Sequence, residues 1–150
     1  MHEIYVDADG CPVKNEVLRV ATRYEWPTTF VANSGMWLPE SDTVRLVVVG
    51  AGADVADDWI AEHAGEGDVV ITADIPLAAR CLARHAEVLD PRGREWTKDG
   101  IGQALASREL MSELRGAGMV TGGPRPREKK DRSQFLQTLD TIIQRVKRRA

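Results

Sequence analysis

Twice in the chain a short apolar run breaks at an aspartate and gives way to a proline, and no other feature restricts the fold as much. The first instance is Ile-Tyr-Val-Asp-Ala-Asp-Gly-Cys-Pro at 4–12, the second Val-Val-Ile-Thr-Ala-Asp-Ile-Pro at 69–76. Each reads as a buried strand that ends in a turn and starts a helix, because proline has a preset φ and no N–H to lose in a first helical turn. Pro12 accordingly opens a helix whose Val13, Val17, Val20, Ala21 and Tyr24 share one stripe, and the second helix carries Ala78, Cys81 and Leu82. Strand, acid and helix recurring in this order predict a three-layer α/β domain with a mostly parallel sheet of about five strands flanked by helices. In open sheets of that kind ligands bind where the strands end.

Pro27 ends the first helix, 28–32 forms the next strand, and Asn33 stands at its exit. Residues 34–43 form a loop over the strand exits, with Trp37 as a packing anchor rather than a stacking surface. The Val- and Leu-rich run 44–49 predicts a strand buried on both faces. Asp54 caps the following helix, residues 68–72 form a fourth strand, and 87–89 a last one closed by the turn Asp90-Pro91-Arg92-Gly93. Two C-terminal helices, about 100–116 and 131–148, complete a single domain and pack on the α/β core. The first aligns Ile101, Ala104, Leu105, Met111 and Leu114, with Arg108 on the same core-facing stripe, where a cation needs an acidic partner. An irregular basic loop covers 119–130; Asp131 caps the last helix with Gln134 behind it, and Phe135, Leu139, Ile142, Ile143 and Val146 make the buried face.

Composition excludes several classes. A net charge of -3 argues against indiscriminate binding to polyanions, although Arg and Lys gather in the C-terminal third. No apolar run approaches the ~20 residues that span a bilayer, and no signal sequence is evident, so a cytoplasmic protein without membrane contact is expected. Cys11 and Cys81 are too few for a disulfide framework and lack metal-ligand spacing.

The acids carry the chemistry. Asp54, Asp57 and Asp58 are more carboxylates than one helix start requires, and right-handed connections bring them to the sheet edge where Asp7, Asp9 and Asp74 also lie. Crowded carboxylates repel unless a cation balances them, and oxygen donors without His or Cys select Mg²⁺ or Mn²⁺. Such ions activate water and stabilise a leaving oxygen, which suits hydrolysis of a phosphodiester. Around the acids, Lys14 contacts a phosphate or pairs with a carboxylate. Asn33 and Thr72 bind substrate or serve turns and caps, Arg108 holds a phosphate or pairs with an acid, and Arg125, Arg127, Lys129, Lys130 and Arg132 track a nucleic-acid backbone or are merely solvated.

Four stretches resemble one bacterial family. Asp-Ala-Asp-Gly-Cys-Pro-Val-Lys at 7–14, Ala-Asp-Val-Ala-Asp-Asp at 53–58, Ile-Thr-Ala-Asp-Ile-Pro-Leu-Ala at 71–78 and Asp-Arg-Ser-Gln-Phe at 131–135 are similar to the YaiI/YqxD family, also called UPF0178 or DUF188. The resemblance covers essentially the whole chain. It implies a PIN-like fold, other branches of which are Mg²⁺- or Mn²⁺-dependent ribonucleases, and so a nuclease acting on RNA before DNA. It further implies Asp7 as the acid after the first strand, one or more of Asp54, Asp57 and Asp58 as the central acids, and Asp74 as the acid after the fourth. Two rival readings stand beside it. The opening Asp-Ala-Asp-Gly resembles the nucleophile and acid of haloacid-dehalogenase-like phosphatases, with a phosphoaspartate at Asp7. The other rival is a non-catalytic module that binds nucleic acid or regulates a partner.

Overall fold

The computed structural model describes residues 2–52, 54–116 and 128–149. Its elements run β1 (Ile4–Asp7), α1 (Lys14–Tyr24), β2 (Thr28–Ala32), β3 (Val44–Val48), α2 (Val55–His63), β4 (Val69–Ile71), α3 (Ile75–Ala83), β5 (Glu87–Leu89), β6 (Glu95–Trp96), α4 (Lys98–Gly116) and α5 (Lys129–Arg149). The six strands lie in the order β3-β2-β1-β4-β5-β6. All neighbours are parallel except β5 and β6, which pair antiparallel through Val88 with Trp96 and Leu89 with Glu95.

Alternation along the strands separates two cores. Ile4, Val6, Phe30, Val69 and Ile71 face α1 and α5, whereas Tyr5, Val31, Val70 and Val88 face α2, α3 and α4. Right-handed crossovers require this: β1 to β2 runs one way along the sheet and β3 to β4 to β5 the other, so their helices fall on opposite faces. All five apolar residues expected on the buried face of α5 are buried, and Val13, Val17, Val20 and Ala21 are buried along the first helix.

Several expectations are corrected. Pro12 lies in a turn, and α1 begins at Lys14. The run 44–49 is not buried on both faces: β3 pairs with β2 alone, so it is the sheet's edge, with Arg45 exposed and Val48 53% exposed. Asp131 does not precede the last helix. α5 starts two residues earlier, and the buried Asp131 carboxylate reaches back to accept the Glu128 N–H at 2.8 Å, the return half of a capping box. Gln134 bonds Thr138 Oγ1 instead of the helix start. On α4 only Ile101 of the expected stripe is buried, and Arg108 and Met111 are exposed. That helix packs on α3 through its first half and runs on where no described element covers it. Of the basic loop 119–130, residues 119–127 lie outside the described residues, Arg125 and Arg127 among them, and Lys129 and Lys130 belong to α5.

Candidate active site at the carboxyl edge

The strand order reverses between β1 and β4, since α1 leaves β1 over one face of the sheet and α3 leaves β4 over the other. A crevice opens at such a reversal, outside the carboxyl ends of the strands. Asp7 is the last residue of β1, and alternation from Tyr5 places it on the α2–α3 side. Thr72, buried just past β4, donates its hydroxyl to Asp7 Oδ2 at 2.8 Å and accepts the Asp74 N–H at 3.0 Å. One hydroxyl thus ties together two acids 67 positions apart in sequence. Asp74 also caps α3, its Oδ1 accepting the Leu77 N–H at 2.8 Å, as its position before Ile75-Pro76 predicts.

Asp57 enters from the first turn of α2. Burial and the charges of Asp74, Asp7 and Asp54 push its carboxyl up to about 6, against a smaller downward pull from Arg80. Asp7 is raised as well, by burial first and then by Asp74 and Asp9, while the Thr72 hydroxyl opposes the rise. Among the described residues no cation acts on Asp7 in that balance. Asp7, Asp57 and Asp74 therefore share one electrostatic neighbourhood, with like charges where a structural site would place a counter-ion.

The remaining acids have other duties. Asp58 forms an ion pair with Arg80 at 2.7 Å. Asp9 is exposed, and its Oδ2 accepts the Asn33 N–H at 2.8 Å; Asn33 Nδ2 in turn bonds the Gly50 carbonyl at 3.0 Å, so both residues tie the exits of β1, β2 and β3 together. Asp54 precedes α2 without a side-chain capping bond. Among the described residues no three Asp, Glu, His or Cys side chains stand as a ready-made metal cage. The donor set is nonetheless all carboxylate oxygen, the type a hard divalent cation takes.

The expected substrate contacts divide in the same way. Among the described residues Lys14 pairs with no carboxylate; its Nζ donates to the Trp37 carbonyl at 3.1 Å and lies 5.7 Å from the Trp37 ring centroid. Trp37 is 74% exposed and is not the packing anchor expected of it. The loop runs extended there, so Met36 and Leu38 turn inward onto the α1 core and the residue between them turns out. Arg132 pairs with Glu16 at 3.0 Å, and Arg108 lies exposed on α4 without an acidic partner among the described residues. Sequence reasoning missed Arg80, which holds Asp58 and shades Asp57. Its only signal was a position six residues past Asp74 on an otherwise apolar helix.

The pattern of the uncharacterised YaiI/YqxD family matches residues 5–145. The chain belongs to that family. Among its relatives, a UPF0178 protein of Rhodopseudomonas palustris (strain BisB18) is 52% identical over 145 residues, covering 97% of this chain and 94% of the relative. Another, from Bradyrhizobium diazoefficiens, is 51% identical over 146 residues, covering 97% of this chain and 87% of its own length. A third, from Azorhizobium caulinodans, is 52% identical with coverage of 97% and 91%. No solved structure matches the chain. Among the described residues no helix is long and apolar enough to cross a membrane.

Proposed function

We propose that this YaiI/YqxD protein is a Mg²⁺- or Mn²⁺-dependent nuclease that hydrolyses phosphodiester bonds, with RNA before DNA as its substrate. The observation that carries the reading is the Thr72 hydroxyl, which joins Asp7 and Asp74 at the strand-order reversal, where no cation among the described residues offsets the like charges that raise Asp7. Asp7, Asp57 and Asp74 are the residues to hold a divalent ion. When bound, the ion supplies positive charge to a phosphodiester under attack and lowers the pKa of water. The chain's own part is positioning. Thr72 fixes one oxygen of Asp7, the α3 cap fixes one oxygen of Asp74, and the free oxygens remain for a ligand. Lys14 and the exposed face of Trp37, beside each other above the start of α1, offer a cation and a stacking surface to a single strand.

The phosphatase reading loses support from the same geometry. Its proton donor would be Asp9, which is exposed and occupied by the Asn33 N–H, and the nearby Lys14 is held at Trp37 rather than at Asp7. The test is hydrolysis of mixed single-stranded RNA and DNA oligonucleotides with Mn²⁺, with chelator, and by an Asp74→Asn protein. Asparagine keeps the oxygen that caps α3, so the variant folds and loses only the charge. Cleavage that requires metal and disappears in Asp74→Asn is the expected result. Binding to RNA that is unchanged in chelator, with no turnover, would replace the nuclease by a binding module.

A further inference from the structure

One side of α4, from Gly100 to Met111, borders a cavity of about 430 Å³. Ile75, Arg94, Trp96, Gln103, Ser107 and Arg108 are among its walls. Ile75 is the residue after Asp74, so the cavity opens on the same edge of the sheet as the acids. Among the described residues its lining holds two arginines and no acid, in a chain whose net charge is -3. A second cavity that touches Trp96 is lined by Glu66, Glu87 and Glu95 as well as Lys98 and Arg149, and so offers an anion no such balance.

Arg94 is fixed in place before any ligand arrives. Its guanidinium lies 4.2 Å from the Trp96 ring centroid, its N–H bonds Asp90 Oδ1 at 2.9 Å, and its carbonyl accepts the Asp90 N–H at 2.9 Å. A guanidinium held over an indole keeps a planar N–H fork, the form that grips two phosphate oxygens at once. Arg108 approaches from the helix, with the Ser107 hydroxyl and the Gln103 amide as further donors. Trp96 itself is 6% exposed, and its buried indole N–H has no acceptor among the described residues.

We propose that this cavity is a second phosphate subsite, which holds a backbone phosphate of the single strand whose neighbouring bond lies at Asp7, Asp57 and Asp74. The proposal rests on the nuclease reading and extends it from the reacting bond to the path of the substrate. It also gives Arg108 a role that a core-facing stripe did not.

The experiment measures binding of a labelled single-stranded RNA 12-mer in chelator, where no cleavage intrudes. Arg94→Gln, Arg108→Gln and, as a control on the α1–α5 face, Arg19→Gln are compared with the wild type. Each of the first two is expected to weaken binding roughly five- to tenfold, and to lower the slope of log affinity against log salt by ~0.7, the share of one phosphate on a single strand. Arg19→Gln leaves both unchanged. Equal affinities in all four proteins, or an equal loss in Arg19→Gln, would overturn the subsite. Competition separates the source of the phosphate. Inorganic phosphate or a 5′-mononucleotide that displaces the RNA as well as an unlabelled 12-mer does would show a site for free phosphate esters and overturn the backbone assignment. The two readings fail separately. Arginine-dependent binding with no Mn²⁺ cleavage sinks the nuclease, and cleavage with arginine-independent binding sinks the subsite.

Discussion

The two ends of the parallel strands treat their acids differently. At the amino end, Glu3 accepts the Thr29 hydroxyl and pairs with Arg45 at 3.7 Å, and Asp68 accepts the N–H groups of Glu3 and Gly65, each at 2.9 Å. Glu87, at the start of β5, pairs with Arg149 at 2.7 Å and Arg145 at 3.5 Å, and Arg145 also reaches, at 2.5 Å, Glu95, which lies on β6 beside Leu89 at the other end of β5. At the carboxyl end, Asp7 is raised by burial and by the charges of Asp74 and Asp9, and Asp57 by burial and by the charges of Asp74, Asp7 and Asp54. Glu3 and Glu87 are balanced by arginines, whereas Asp7, although it accepts the Thr72 hydroxyl, keeps like charges as neighbours. Acids left in mutual repulsion cost stability, and a chain keeps such a cost where a ligand removes it.

Replacing Asp7 tests that contrast most severely. Asp7→Asn retains an oxygen for the Thr72 hydroxyl while removing a charge that burial and two neighbouring acids disfavour. Mn²⁺-dependent cleavage is expected to fall by at least ~100-fold, because a metal-ligand charge is lost, whereas the melting temperature in chelator at neutral pH is expected to rise. A variant that is both inactive and less stable would show Asp7 to be an ordinary structural acid.

The opposite outcome is expected at the amino end. Arg145→Ala leaves Glu87 and Glu95 without their shared cation, and all three side chains are only 33%, 15% and 29% exposed. Part-buried pairs lie between the ~0–1 kcal/mol of surface bridges and the ~3–5 kcal/mol of buried ones, so a loss of about 2 kcal/mol is expected. For a domain of this size that is roughly 5 °C in melting temperature. Cleavage at a temperature well below the melt should not change. A drop in cleavage without a drop in stability would join the two ends of the sheet functionally and break the contrast.

How far the sequence carried these conclusions differs by element. Strands β2 and β5 fall on the expected residues, because a β-branched run between a proline or acid and a turn leaves little freedom for the boundaries. The gathering of Asp7, Asp57 and Asp74 followed from handedness, which is a global rule that local pattern obeys. Strand order is different, since nothing inside residues 44–49 says that one side of that strand has no neighbour, and its Val-rich pattern was read as central. The two-residue β6 is too short to carry a period. For α4 the stripe was real as a spacing, but a stripe is buried only where another element lies over it. Trp37 was misplaced for a related reason: hydrophobicity argued for burial, and two apolar neighbours had already taken the inward positions.

The smallest expected effect sharpens the contrast through pH. Asp57 has a carboxyl raised to about 6 from the ordinary 3.8, so the folded state binds its proton more tightly than the unfolded chain does. Stability from this group is therefore fully present below about pH 4, falls as pH rises toward 6, and stays reduced above it. Asp57→Asn removes that fall. After discounting for the group's partial exposure, the variant should be more stable than the wild type by about 1 kcal/mol at pH 7.5 in chelator, and equal to it near pH 4. Saturating Mn²⁺ should reverse the order, since an ion that binds only the folded wild type at ~100 times its dissociation constant adds about 2.7 kcal/mol. Denaturant titrations at the two pH values, with and without metal, separate these outcomes. If Asp57→Asn gains as much from Mn²⁺ as the wild type, Asp57 is no ligand, and the ion would rest on Asp7 and Asp74 alone.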